Sequence, residues 1–133
     1  MRSAITSTVG DDIRVLELVG DTDLIVRDDL EVAIRRALRR RNDLIVDVSA
    51  VTFIDAAVVR ILIGAYHESS AQGSRFVLQS GTMGVVERVL RLTGVAGIVP
   101  CTRTRDEAEE LISVRTNRTG TAIEPLRAAW AAT

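Results

Sequence analysis

The 133-residue chain reads as a single α/β domain with a mixed sheet, in the order β-β-α-β-α-β-α-β-α. Three observations predict this. Short β-rich runs alternate with stretches whose apolar residues recur every three to four positions. The run Leu44-Ile-Val-Asp-Val48 is almost unbroken, the mark of a strand buried on both faces by helices or by a parallel neighbour. Finally, 47% of residues are hydrophobic but only 3% aromatic, so the core must come from Val, Ile, Leu and Ala packed between layers.

Residues 5–9 and 13–19 are β-rich and separated by Gly10-Asp11-Asp12, a turn composition, which predicts a hairpin. Leu30, Ile34, Ala37 and Leu38 form the apolar stripe of a helix over 26–40. Asp28, Asp29 and Glu31 are expected near its start and five arginines, 35, 36, 39, 40 and 41, near its end, the order a helix dipole favours. After the 44–48 strand comes a helix over 56–71, stopped at Gln72-Gly73. Phe76-Val77-Leu78 is a strand, and Val85, Val86, Val89, Leu90 and Thr93 mark a helix closed by Gly94. Residues 98–101 suggest an edge strand because of Pro100, and Thr104-x-x-Glu107 is a capping box opening a last helix. The domain is expected over 1–116. Residues 117–133 form a tail in which Pro125, Leu126 and Trp130 could open a short helix.

Composition removes whole classes of chemistry. All 17 basic residues are Arg, so a P-loop, a Schiff base and a pyridoxal phosphate enzyme are excluded. One cysteine, Cys101, and one histidine, His67, leave no intrachain disulfide and little for metal ligation, and neither a metal nor another cofactor is expected. A formal net charge of -1 argues against wholesale binding to nucleic acid or an anionic membrane. The N-terminus lacks a signal-peptide h-region, and the apolar stretch 56–66 is broken by Arg60 and Gly64, so a soluble cytoplasmic protein is the expectation.

Few candidate sites survive. The arginines of 35–41 offer a nucleic-acid patch as one reading, but most of them fall opposite the apolar stripe, as a solvated face would. Cys101 and His67 lie on different elements with no nucleophile signature around either, and Cys101 reads as a small buried hydrophobe. Asp47 and Asp55 could pair as carboxylates, but helix capping accounts for Asp55. The glycine pairs at 81/84 and 94/97 do not fit a dinucleotide fingerprint. No enzyme motif remains. The second helix is apolar around most of its circumference and should be the best-buried one, yet Arg60, Gly64, His67 and Glu68 interrupt it in a stripe. That stripe begins at Ala56 and Ala57, just after Asp55. Two small residues over an uncapped row of amides suit close approach by a partner or an anion, although Ala is also simply a good helix former.

Three segments together resemble the STAS family, named for sulfate transporters and anti-sigma factor antagonists. They are Gly20-Asp-Thr-Asp23, Asp47-Val-Ser-Ala-Val-Thr-Phe-Ile-Asp55 and Arg88-Val-Leu-Arg-Leu-Thr-Gly-Val95, in order over about residues 3–115. The resemblance implies the STAS fold, a four- or five-stranded mixed sheet flanked by about four helices. It also implies a stand-alone bacterial regulator of transcription, of the stress-response kind, that binds a serine-kinase-type anti-sigma factor and frees a sigma factor. In the family a serine at the start of the second helix is phosphorylated to switch binding off, within an Asp-Ser-Ser/Thr-Gly pattern. Here the pattern reads Asp55-Ala56-Ala57-Val58. Phosphate would add about -1.5 to -2 charge beside Asp55 and Asp23, and Ala57 cannot accept it. The expectation is a constitutively competent antagonist docking through Asp23, Asp55, Ala56, Ala57, Arg60, Gly64 and His67, because Gly20, Asp23 and Asp55 match while the switch is changed. A divergent interaction or ligand-sensing module and a STAS subunit of a lipid-type transporter are the alternatives. No direct contact with nucleic acid, no membrane insertion and at most a weak homodimer are expected.

Overall fold

The computed structural model describes residues 4–10, 13–21, 24–82 and 84–117. The expected hairpin pairing is found: β1 (Ala4–Gly10) pairs antiparallel with β2 (Ile13–Asp21), Gly10 standing opposite Ile13. Three further strands, β3 (Asp43–Phe53), β4 (Phe76–Gln79) and β5 (Cys101–Thr102), add in parallel, so the sheet order is β1-β2-β3-β4-β5. The helices α1 (Leu24–Arg39), α2 (Ala56–Ala71), α3 (Val85–Leu92) and α4 (Arg105–Asn117) are the connections and the closing element. The order read from periodicity is the order found.

Strand alternation divides the core into two layers. Leu16, Leu18, Leu44, Val46 and Val48 face α1, α2 and α3 through Leu30, Ile34, Val58, Leu62, Val86 and Leu90. On the other face Val15, Ile45 and Val77 meet Ala108, Leu111 and Ile112 of α4. The unbroken 44–48 run is thus explained by helices on both sides and a parallel strand at each edge.

Several boundaries move, each for a local reason. The third strand continues to Phe53, because after parting from β4 at Asp47 it stays paired with β2 up to Asp21. That extension contains register shifts, and Gly20, at φ 85 opposite Val51, supplies the left-handed residue they need. The first helix starts at Leu24, so Asp28, Asp29 and Glu31 stand beyond its first turn and the expected acidic start is absent, while Arg36 and Arg39 do occupy the last turn. The expected 98–101 strand is displaced. The N–H groups of Gly97, Ile98 and Val99 turn back to Gly94 and Val95 as a 3-10 turn, leaving only Cys101–Thr102 to extend the edge. Along the second helix Val58, Leu62, Ala65 and Ser69 are buried and Val59, Ile61, Ile63 and Tyr66 are half-covered. It packs as one ridge on the sheet and beside α1, which cannot cover its flanks.

The capping box holds. Glu107 N donates to Thr104 Oγ1 at 3.2 Å, while Thr104 N and Arg103 N donate to Glu107 Oε1 at 3.2 and 3.0 Å. The last helix runs to Asn117, the first residue of the expected tail, and Pro125, Leu126 and Trp130 lie outside the described residues. Among the described residues, no helix is long and apolar enough to cross a membrane.

Candidate functional site

The Asp55-Ala56-Ala57 step is built by the end of β3. Val51 and Ile54 turn inward and are buried, which anchors the strand, and the chain then leaves the sheet at Asp55. Asp55 is extended (φ -96, ψ 168), and its Oδ1 accepts from Val58 N at 2.9 Å. The capping role read for Asp55 is found, and it corrects the expected uncapped row of amides: this N-terminus is capped by its own aspartate, so its appeal to an anion is reduced. Ala56 is exposed and Ala57 half-buried. Phe53, 56% exposed two residues before the cap, adds an apolar side chain at the same end of the molecule.

From Ala57 an open groove runs between α1 and α2. Its first part, about 350 Å³, is lined by Arg27, Asp28, Glu31, Ala57, Arg60 and Ile61. The second, about 190 Å³, is lined by Glu31, Ile34, Arg35, Ile61, Gly64, Ala65 and Glu68. Glu31 and Ile61 belong to both, so the two parts are continuous. The floor is apolar and the rims carry Arg27, Arg35 and Arg60 against Asp28, Glu31 and Glu68. Among the described residues none of these six is in an ion pair. Nothing lies within 4 Å of where a Cβ on Gly64 would stand, so a partner's backbone can come close there.

Ala57, Arg60 and Gly64 are thus brought onto one wall, with Asp55 and Ala56 at its head. His67 is not. It is exposed, but it lies about 80° round the helix from Ala57 at about 100° per residue, lines neither part of the groove, and has its ring 5.4 Å from that of Tyr66. Asp23 lies outside the described residues. The opposite wall, Arg27, Asp28, Glu31 and Arg35, went unseen in the sequence. In the sequence Asp28, Glu31 and Arg35 read as dipole partners and solvated side chains and Arg27 carries no signal, and only their spacing beside Leu30 and Ile34 hints that they border a second helix.

The other candidates resolve structurally. Asp47, 4% exposed, accepts from Ser49 N and Ser49 Oγ and pairs with Arg105 at 2.9 Å, so it ties β3 to α4 and is not partnered with Asp55. Cys101 is buried, donates to the Val99 carbonyl, and burial pushes its thiol up to about 12, which keeps it protonated at neutral pH. Arg35, Arg36, Arg39, Arg40 and Arg41 are all exposed, as the solvated-face reading requires. Among the described residues no group of His, Cys, Asp and Glu could hold a metal ion.

Residues 4–108 match the STAS domain family. No curated protein matches the chain in sequence. In fold the chain is similar to an anti-sigma factor antagonist from Mycobacterium paratuberculosis, with a TM-score of 0.75 and 23% identity over 84% of this chain and 95% of that one. It is also similar to the anti-sigma factor antagonist SpoIIAA in its unphosphorylated form (TM-score 0.66, 21% identity, 85% and 97% coverage). The phosphorylated form of SpoIIAA, described as a Bacillus cell fate determinant, gives a TM-score of 0.63 at 20% identity, with 80% and 97% coverage.

Proposed function

The chain belongs to the STAS domain family, and from that premise we propose that it is an anti-sigma factor antagonist: it binds a serine-kinase-type anti-sigma factor and so frees a sigma factor. The observation that carries this reading is the open face at the head of α2. There Ala57 begins a groove with an apolar floor and six rim charges that have no ion-pair partner among the described residues. Unpaired charge beside an apolar floor is suited to a protein partner, which can satisfy the rim while covering the floor. Catalysis forms no part of the reading, and the work is binding, in the cytoplasm.

The same face explains the regulation we assign. SpoIIAA exists in phosphorylated and unphosphorylated forms. In this chain Ala57 has no hydroxyl to phosphorylate, so docking is constitutive with respect to this position and is set by abundance or by another input.

Ala57→Asp tests the assignment. The residue lies in the first turn of α2, where an acidic side chain favours the helix, so the variant should fold. Titrated calorimetrically against the anti-sigma kinases of its own genome, the variant should bind at least about tenfold more weakly, or about 1.4 kcal/mol. Unchanged affinity for a partner that the wild type binds would overturn the docking face. Absence of any such partner would overturn the function.

A further inference from the structure

Two charged triads on the surface have the same helical spacing and opposite sign. Arg36 and Arg39 in the last turn of α1 and Arg40 in the turn just past it stand at i, i+3 and i+4, and Asp106, Glu109 and Glu110 stand at i, i+3 and i+4 at the start of α4. All six are exposed, and among the described residues none makes an ion pair. Within one molecule they cannot meet. The arginines precede β3, at the end where the parallel strands begin, on the face covered by α1, α2 and α3. The acids follow β5, at the end where those strands finish, on the face covered by α4.

We propose that these patches form a head-to-tail contact between copies of this chain, the α1 triad of one molecule docking on the α4 triad of the next. Laid side by side in parallel, the two helices set Arg36 beside Asp106 and Arg39 beside Glu109, and Arg40, just past the end of α1, follows toward Glu110. Val32, 45% exposed one turn before Arg36, gives the contact an apolar seat. Because the two patches lie on opposite faces and at opposite ends, the contact is heterologous and propagates into a short chain of molecules, where a two-fold dimer would close on itself. The formal net charge of -1 leaves almost no overall repulsion between copies to oppose it. It also disfavours nucleic acid as the occupant of the arginine patch: a polyanion would gain about one helical turn of Arg and meet a molecule otherwise carrying an excess of acid.

Sedimentation velocity of the full chain at about 20 mM and about 300 mM NaCl, salts that bracket a Debye length of about 10 Å, reads this contact. The wild type should associate with rising concentration at the lower salt and run as a monomer at the higher. R36E/R39E/R40E and D106R/E109R/E110R should each remain monomeric at low salt, with folding checked by circular dichroism. An equimolar mixture should associate again, because each variant presents the charge that the other's reversed patch now requires. Should a reversal fail to fold, R36Q/R39Q/R40Q should still weaken association about tenfold. A wild type that stays monomeric at low salt overturns the proposal. So does association that survives either reversal, a mixture that does not restore it, or capture of duplex DNA or an acidic peptide without self-association. Anti-sigma binding through the α2 face is measured separately and is independent of every one of these outcomes.

Discussion

At position 101 one buried atom sets a pH dependence. Burial pushes the Cys101 thiol from 9.0 to about 12. Above pH 9 the unfolded chain loses this proton while the folded one keeps it, so the unfolded state binds fewer protons and stability must fall as pH rises. The expected decline is up to about 1.4 kcal/mol per pH unit between about pH 9 and 12, read from urea unfolding at successive pH values. Cys101→Ala should lower the baseline through its small cavity but remove this component of the slope. An unchanged slope would show that the thiol is not its source. The identity of this residue was legible in sequence as a small buried hydrophobe, but the depth of its burial was not, because it depends on the pairing of β5 with Leu78 of β4 and on the core it shares with Val95 and Val99.

The ends of α1 and α2 make an instructive pair of elements. Both close with the same hydrogen bonds: Arg41 N to Leu38 O with Asn42 N to Ala37 O, and Gly73 N to Ser70 O with Ser74 N to Ser69 O. In each the second residue after the helix adopts positive φ, 84 at Gly73 and 56 at Arg41. Glycine accepts that conformation freely and arginine does not. Arg41→Gly should therefore stabilise the protein by about 0.5–1 kcal/mol, the left-handed cost relieved less the extra flexibility of the unfolded chain. Arg41 also reaches the Gln72 carbonyl at 3.4 Å, but an exposed contact of that length offsets little. A lower urea midpoint in the variant would contradict this account. Gly73 was visible as a stop in the sequence. Arg41 was hidden in a charge run, since nothing in an arginine's chemistry marks it for a left-handed turn.

Across the whole molecule, Arg105 ties α4 to three strands of the sheet. It reaches from the first turn of α4 to Asp47 Oδ2 at 2.9 Å and Gln79 Oε1 at 2.7 Å, with Glu17 at 3.7 Å. Asp47 is nearly fully buried, so it relies on Arg105 and Ser49 for compensation. The Arg105 side chain is 32% exposed, which places the loss on Arg105→Met at about 2 kcal/mol, below the range of a fully buried pair. Adding Asp47→Asn to that variant should recover most of the loss in urea unfolding, because the uncompensated charge goes with it. Additive destabilisation of the two changes would refute the coupling.

Taken alone, the sequence determined the element order, the two-sided burial of the central strand, the α4 capping box and the absence of a hydroxyl at position 57. Each follows from the residues themselves or from periodicities of two and 3.6 that local geometry imposes. Tertiary structure alone decided the rest: that β3 runs on to Phe53, that α2 packs as one ridge beside α1, and that Arg27, Asp28, Glu31 and Arg35 form the second wall of the groove with Ala57, Arg60 and Gly64. The physical reason is common to all of them. Whether a side chain borders solvent or another element depends on what an independent segment, far away along the chain, presents at the same place. A helix carries its own apolar stripe in its sequence, but the identity of its neighbour is fixed only when the layers close.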